Sequence, residues 1–479
     1  MNTSLINSFL YTLIPLLISS MLWVLFFFND ENTIIAKKYR VFFKLKYGRL
    51  KIANLKRGIS IIGSAGSGKT ESVVFNLLQH LSTHDFCGII HDYKDFELTE
   101  IAYPLFKNKK ELQFYTISFD KIHGRVNPIA PRYLPNEESV NELARVLIDN
   151  LLEHGDQMNA TSRFFNDAVE GLLAGLIWKL KTAYPELCTL PHVIAIFQTM
   201  STKKLIAFLS SDLTSKSMAS AFINGIESEK QTAGVKSTLA NAFKKISSQR
   251  MFMVLSADEV PLDVNNDANP GVISMVNNPK YESAYAPIIA TIIHTVIKQM
   301  SVRHRRSAFV LMEEAPTIKL LNMHRIPATL RSYDIATIYV MQDKIQNDML
   351  YGDKASKAIL SNLSYQFFGK VNDPDTARYY EQFFELIKIP TKSVSRSSGL
   401  TLDSRITKGE KEVAKRRAAI FFRLQQGEFV AFADGKDRKV KFKLQKIEKE
   451  VPPIKVHYSN TELQLNLIRI YREVKTVLG

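Results

Sequence analysis

Two short stretches carry residues whose types and spacing can do chemistry together. "GSAGSGKT", residues 63–70, satisfies G-x-x-x-x-G-K-[ST] in full. Gly63, Gly66 and Gly68 permit a tight backbone path that, with Ser64, Ala65 and Ser67, aims N–H groups at a phosphate chain. Lys69 reaches the outer phosphates, and the Thr70 hydroxyl is a Mg²⁺ ligand. The second stretch, "FVLMEEAPTI" (309–318), is an apolar run that ends in two carboxylates, Glu313 and Glu314. Beside a phosphate loop, Glu313 would hold Mg²⁺ directly or through water, and Glu314 would polarise the attacking water. The plain alternative is a buried strand that meets a solvated acidic loop. Gln342, after "IATIYVM", either satisfies a neighbouring backbone group or positions water at the γ-phosphate. Asp92 in "IIHDYKD" is a rival carboxylate at another strand end and a supporting group at most. The chemistry these residues predict is ATP hydrolysis with Mg²⁺.

Such residues need a sheet to bring them together. "GISII" (58–62), "CGIIHD" (87–92), "LQFYTISF" (112–119), "MFMVLS" (251–256), "GVISMV" (271–276), "AFVLM" (308–312), "IATIYVM" (335–341) and "YQFFGKV" (365–371) read as apolar strands. Helical runs such as "AYAPIIATIIHTVIKQM" (284–300) alternate with them. That alternation predicts a mostly parallel sheet covered on both faces. Between Asn136 and Ser248 strand signals give way to amphipathic helical patterns with apolar residues at i, i+3, i+4 and i+7. "GEFVAFAD" and "RKVKFKL" read as an edge hairpin, and the polar 391–418 as a mobile loop. The fold class expected is α/β: a P-loop nucleotide-binding domain (58–135 and 249–445), an inserted all-α domain (136–248) and a tail (446–479).

The 479 residues carry 63 Lys plus Arg against 47 Asp plus Glu, a net charge of +16, which favours a polyanionic partner or an acidic membrane face. With Cys87 and Cys188 the only cysteines, a disulfide framework is excluded as an organising principle and a reducing compartment fits. Twenty uncharged residues, Phe9–Phe28, are long enough at about 1.5 Å each to cross a bilayer core of roughly 30 Å. Nine basic residues follow between Lys37 and Arg57, so residues 1–30 are expected to be a single transmembrane helix, with 31–57 a basic juxtamembrane segment on the cytoplasmic side.

In order along the chain stand "GSAGSGKT", "HDYKDFE", "VNPI", "GIESEKQTAGVKSTL", "FVLMEEAPTI", "IYVMQDKIQNDMLYG" and "FFGKVNDPDTARYYEQFF". From about residue 50 to 445 this series resembles the conjugative coupling ATPases of type IV secretion, the TraD/TraG type. The resemblance implies a RecA-like nucleotide-binding domain, an all-α domain facing the cytoplasm, and a homo-hexamer anchored in the bacterial inner membrane. It also implies ATP-driven movement of single-stranded DNA with its bound relaxase towards the channel components of type IV secretion. Carried onto this chain, Lys69 and Thr70 match the phosphate-loop pair, Glu314 the catalytic glutamate and Gln342 the glutamine after the next strand. Arg331 in "LRSYDIA" matches the arginine that reaches a neighbouring subunit's nucleotide, against the alternative of a solvated helix-end charge. Arg57 is read as part of the basic cluster. The chain departs from the family's pattern in having room for one membrane helix instead of two, and Glu313 in place of Asp. Two other readings stand beside this one: a double-stranded DNA translocase of the FtsK/HerA type, and an ATP-binding docking receptor with little hydrolysis.

Overall fold

In the computed structural model, residues 9–27, 36–152, 160–225, 228–396, 404–443 and 445–478 are described. The strands are β1 (Val41–Lys44), β2 (Arg49–Ile52), β3 (Ile59–Ile62), β4 (Cys87–Asp92), β5 (Gln113–Ile117), β6 (Gly271–Val276) and β7 (Ala308–Met312). They continue with β8 (Ile335–Met341), β9 (Tyr365–Phe368), β10 (Leu386–Arg396), β11 (Ser404–Ala414), β12 (Glu428–Ala433) and β13 (Lys436–Lys441). Nine of them form one sheet in the order β13-β12-β9-β3-β8-β7-β4-β6-β5. The strands from β9 to β5 run parallel; β12 and β13 add an antiparallel edge.

Every residue of β3, β4, β6, β7, β8 and β9 is buried. A strand buried on both faces is apolar at most positions on either side, which is why these segments show no regular alternation in the sequence. On one face the Phe106 ring, from helix Thr99–Phe106, stacks on Phe309 of β7 with centroids 6.4 Å apart. From Glu137 to Leu255 the described chain is helical. Its first helix, Glu137–Leu151, is started by a capping box between Asn136 and Ser139 and packs on helix Glu282–Met300. Helix Asn460–Leu478 packs on Leu190–Thr199 and Gln249–Leu255, and His192 Nε2 lies 2.9 Å from Glu473 Oε2 across that seam.

Three expectations are corrected. "MFMVLS" is not a strand but most of helix Gln249–Leu255, whose first turn is capped by the Ser248 side chain on Met251 N. Much of the polar 391–418 segment is not a loop: β10 and β11 pair in antiparallel register from Leu386↔Ala414 to Arg396↔Ser404, while 397–403 lie outside the described residues. The third correction concerns the membrane. A π-helical turn, Phe9–Leu13, leads into an α-helix of only 14 residues, Ile14–Phe27. Fourteen residues at about 1.5 Å each reach about 21 Å, short of a hydrocarbon core of roughly 30 Å. No helix among the described residues is long and apolar enough to cross a membrane, which overturns the single-pass inner-membrane anchor expected from Phe9–Phe28. Phe28 itself lies outside the described residues.

Candidate active site

Four neighbouring strands of the sheet, β3, β8, β7 and β4, end on the same side because they are parallel and in register. Ile62 pairs with Met341, Met312 with Tyr339, and His91 with Met312. The next residues along each strand are therefore Gly63, Gln342, Glu313 and Asp92. In an open α/β sheet this carboxyl end is where ligands sit.

Gly63 N donates to Met341 O (3.2 Å) and Ser64 N to Lys370 O (2.7 Å), so the loop is tied to β8 and to the segment after β9. Gly66 and Gly68 both take the left-handed conformation, with φ of 74° and 85°. At Gly68 a Cβ would also stand 3.0 Å from Gly427 N, which leaves no room for a side chain. Gly427 N donates to Ser67 O (2.9 Å), so a segment far along the chain closes over the loop. Lys69 is buried, and its Nζ donates to Gly63 O at 2.5 Å. Burial lowers its pKa, while Glu314, Glu313 and Asp343 act in the opposite sense. Thr70 opens a π-helical turn, Thr70–Val74, that runs into helix Phe75–Thr83.

The two glutamates are buried at 4 % and 2 % exposure, so neither belongs to a solvated acidic loop. Glu314 takes the left-handed conformation (φ 45°), a strained state for a residue with a Cβ. Its Oε1 accepts from Gln342 Nε2 at 3.0 Å, and Lys94 Nζ lies 3.8 Å from the same oxygen. Glu313 N donates to His91 O at 3.2 Å, while its Oε2 is buried without a partner among the described residues. Burial, and then the charge of Asp92, push the Glu313 carboxyl up to about 8. Asp92 is pushed up to about 6 by burial, against the N–H groups of Lys94, Leu98 and Thr99 and the Thr99 hydroxyl that donate to it.

An orphaned buried carboxylate oxygen that carries a cost as an anion suits a cation. A carboxylate oxygen of this kind, like a threonine hydroxyl, is a donor that suits Mg²⁺ when phosphate and water supply its other ligands. No group of three His, Cys, Asp or Glu residues among the described residues could hold a metal by itself. Asp92 is occupied with its own turn.

Arg331 is not part of this cluster. It closes helix Ile326–Arg331 just before β8 begins, so it stands at the opposite, amino end of the sheet, exposed to solvent. Arg57 is at that end too, 3.5 Å from Asp434. The sequence reading assigned no role to Lys94 or to the Gln426–Gly427 segment. "HDYKDFE" was the signal available for Lys94; for Gly427, nothing in the sequence marks its approach to the loop.

Residues 24–419 match the family model for type IV secretory system conjugative DNA transfer. The chain belongs to this family. Its work is therefore in conjugative DNA transfer, with DNA and the type IV secretory apparatus as its general partners. Among solved structures it is similar to the bacterial conjugative coupling protein TrwBdeltaN70 in unbound form: 14 % identity, TM-score 0.66, 83 % of this chain and 87 % of that one. It is similar also to plasmid coupling protein TrwB in complex with the non-hydrolysable ATP analogue ADPNP (13 %, TM-score 0.64, 83 % and 87 %). A third likeness is to TrwB with ADP and Mg²⁺ (13 %, TM-score 0.64, 83 % and 88 %). At these identities what is shared is the α/β P-loop fold. No curated protein matches the chain.

Proposed function

We propose that the chain is an ATPase that couples a relaxase–single-stranded DNA substrate to a type IV secretion channel and drives transfer by ATP hydrolysis. The observation that carries this reading is the convergence of Gly63–Thr70, Glu313, Glu314 and Gln342 at the carboxyl end of adjacent parallel strands, in a member of the conjugative transfer family. The nucleotide complexes of TrwB support ATP and Mg²⁺ as its cofactors.

In this reading the N–H groups of residues 63–70 cradle the phosphates, and Lys69 leaves Gly63 O to neutralise the outer ones. Thr70 and Glu313 would hold Mg²⁺, which supplies charge neutralisation at the β- and γ-phosphates. Glutamate is one methylene longer than the aspartate usual in the family, and it reaches the metal directly or through a water. Glu314, held by Gln342, orients the attacking water and accepts its proton. The segment that carries these residues is the RecA-like motor domain, and 136–248 the all-α domain that meets substrate. Arg331 is exposed at the opposite end of the sheet from its own chain's site, which fits service to the nucleotide of a neighbour in a homo-hexamer.

ATP turnover by the full chain, with single-stranded and with duplex DNA, tests the reading. Stimulation by single strands is expected. Stimulation by duplex alone would replace it with an FtsK/HerA-type pump, and nucleotide binding without turnover would replace it with a docking receptor.

A further inference from the structure

Just past β4 the backbone does something unusual. Asp95 and Phe96, consecutive and neither of them glycine, both adopt the left-handed conformation, with φ of 47° and 75°. The left-handed state is costly for a residue with a Cβ and persists only where the surroundings impose it. Here they do. The Asp92 carboxylate accepts from Lys94 N (3.2 Å), Leu98 N (3.1 Å), Thr99 N (2.7 Å) and Thr99 Oγ1 (2.5 Å). Asp95 N donates to Asn277 O at 3.0 Å, and the Phe96 ring is buried at 3 % exposure.

The turn presents Lys94. Among the described residues it is the one cation within ion-pair distance of Glu314, and it meets Oε1, the oxygen that also accepts from Gln342. Its charge also bears on Lys69 and Glu313. A lysine that served only its rim partner, Glu97 at 3.9 Å, would need no turn tied down at five points. The Glu314 side chain is only 3 % exposed, so water solvates its charge poorly and a neighbouring cation stabilises it.

We infer that Lys94 is a positioning residue of the hydrolytic site. Together with Gln342, which donates to the same oxygen, it sets the orientation of the Glu314 carboxylate and neutralises part of the negative charge at Glu313 and Glu314. This rests on the reading of Glu314 as the water-orienting group. Because Asp92 grips the Lys94 backbone and not its side chain, a substitution leaves the turn in place.

The test is a double-mutant cycle in the full chain: wild type, Lys94→Met, Glu314→Gln and the pair, with kcat, KM and the affinity for a fluorescent ATP analogue measured for each. Lys94→Met should lower kcat about 30-fold with nucleotide affinity within about twofold, and Lys94→Arg should recover most of the loss. The pair should be no slower than Glu314→Gln alone, because a residue that acts through Glu314 has nothing left to act on. Additive losses, or a Lys94→Met chain that turns over at the wild-type rate, would overturn the role of Lys94 and leave the hydrolytic reading intact. A wild-type chain that binds nucleotide but never hydrolyses it would overturn both.

Discussion

At the carboxyl end of β3, β8, β7 and β4, charged groups are buried and answer to one another: Lys69 to Glu313 and Glu314, Glu314 to Gln342 and Lys94, Glu313 to Asp92. At the amino end of the same strands the charges are half-buried or exposed. Arg57 pairs loosely with Asp434 at 3.5 Å, Lys38 and Lys56 sit 3.8 and 3.6 Å from Asp334, and Arg331 has no ion-pair partner among the described residues. The difference follows from solvation. A buried ion must find its partner inside the molecule, whereas an exposed guanidinium has water as an alternative and remains free to meet a second molecule. One end thus holds its charges against one another, while the other leaves Arg331 to solvent.

That contrast can be broken most sharply at Arg331. If it serves a neighbour's nucleotide, Arg331→Ala should lower kcat by about 10³-fold while each chain still binds ATP, as trans arginines do in other phosphoryl-transfer sites. Wild-type turnover in that variant would return Arg331 to the solvated surface. Glu314→Gln keeps the shape and the link to Gln342 but removes the base, so kcat should fall about 10²-fold with KM little changed. A rise in KM alone would mean that Glu314 only binds.

A smaller effect separates buried polar groups from exposed ones by pH. His294, on helix Glu282–Met300, is held neutral by burial, with Lys298 adding to the effect and Glu142 opposing it, and its pKa falls from 6.5 to about 4. The unfolded chain then binds a proton that the folded chain refuses. Stability is full above about 6.5 and is lost as pH falls towards 4, by on the order of 3 kcal/mol. Denaturant midpoints at pH 7 and pH 4.5 should therefore converge in His294→Leu relative to wild type. An equal drop in both chains would assign the acid sensitivity elsewhere.

Much of the sheet was legible because strands buried on both faces are continuous apolar runs, and "CGIIHD", "GVISMV", "AFVLM" and "IATIYVM" have the bounds of β4, β6, β7 and β8. "MFMVLS" was read in the same way and is helical, since periodicity cannot separate a short apolar helix from a buried strand. The β10–β11 hairpin escaped for the opposite reason. Its residues are too polar to look like strands, and it is their pairing with each other that makes them so. Phe9–Phe28 was read from hydropathy, which counts apolar residues and does not say how many of them join one helix. In the site, the loop and both glutamates stood out by residue type, but Lys94 did not. Its position is set by two left-handed residues and by the bonds of Asp92, neither of which leaves a mark in composition or spacing.

The most direct test of the account is ATP turnover by the full chain set against Lys69→Ala, in the presence of Mg²⁺ and single-stranded DNA. Lys69 is the buried cation of the phosphate loop, and the charges of Glu313 and Glu314 both act on it. Removing it should abolish hydrolysis and weaken nucleotide binding. Turnover by Lys69→Ala at the wild-type rate would contradict the assignment of the site.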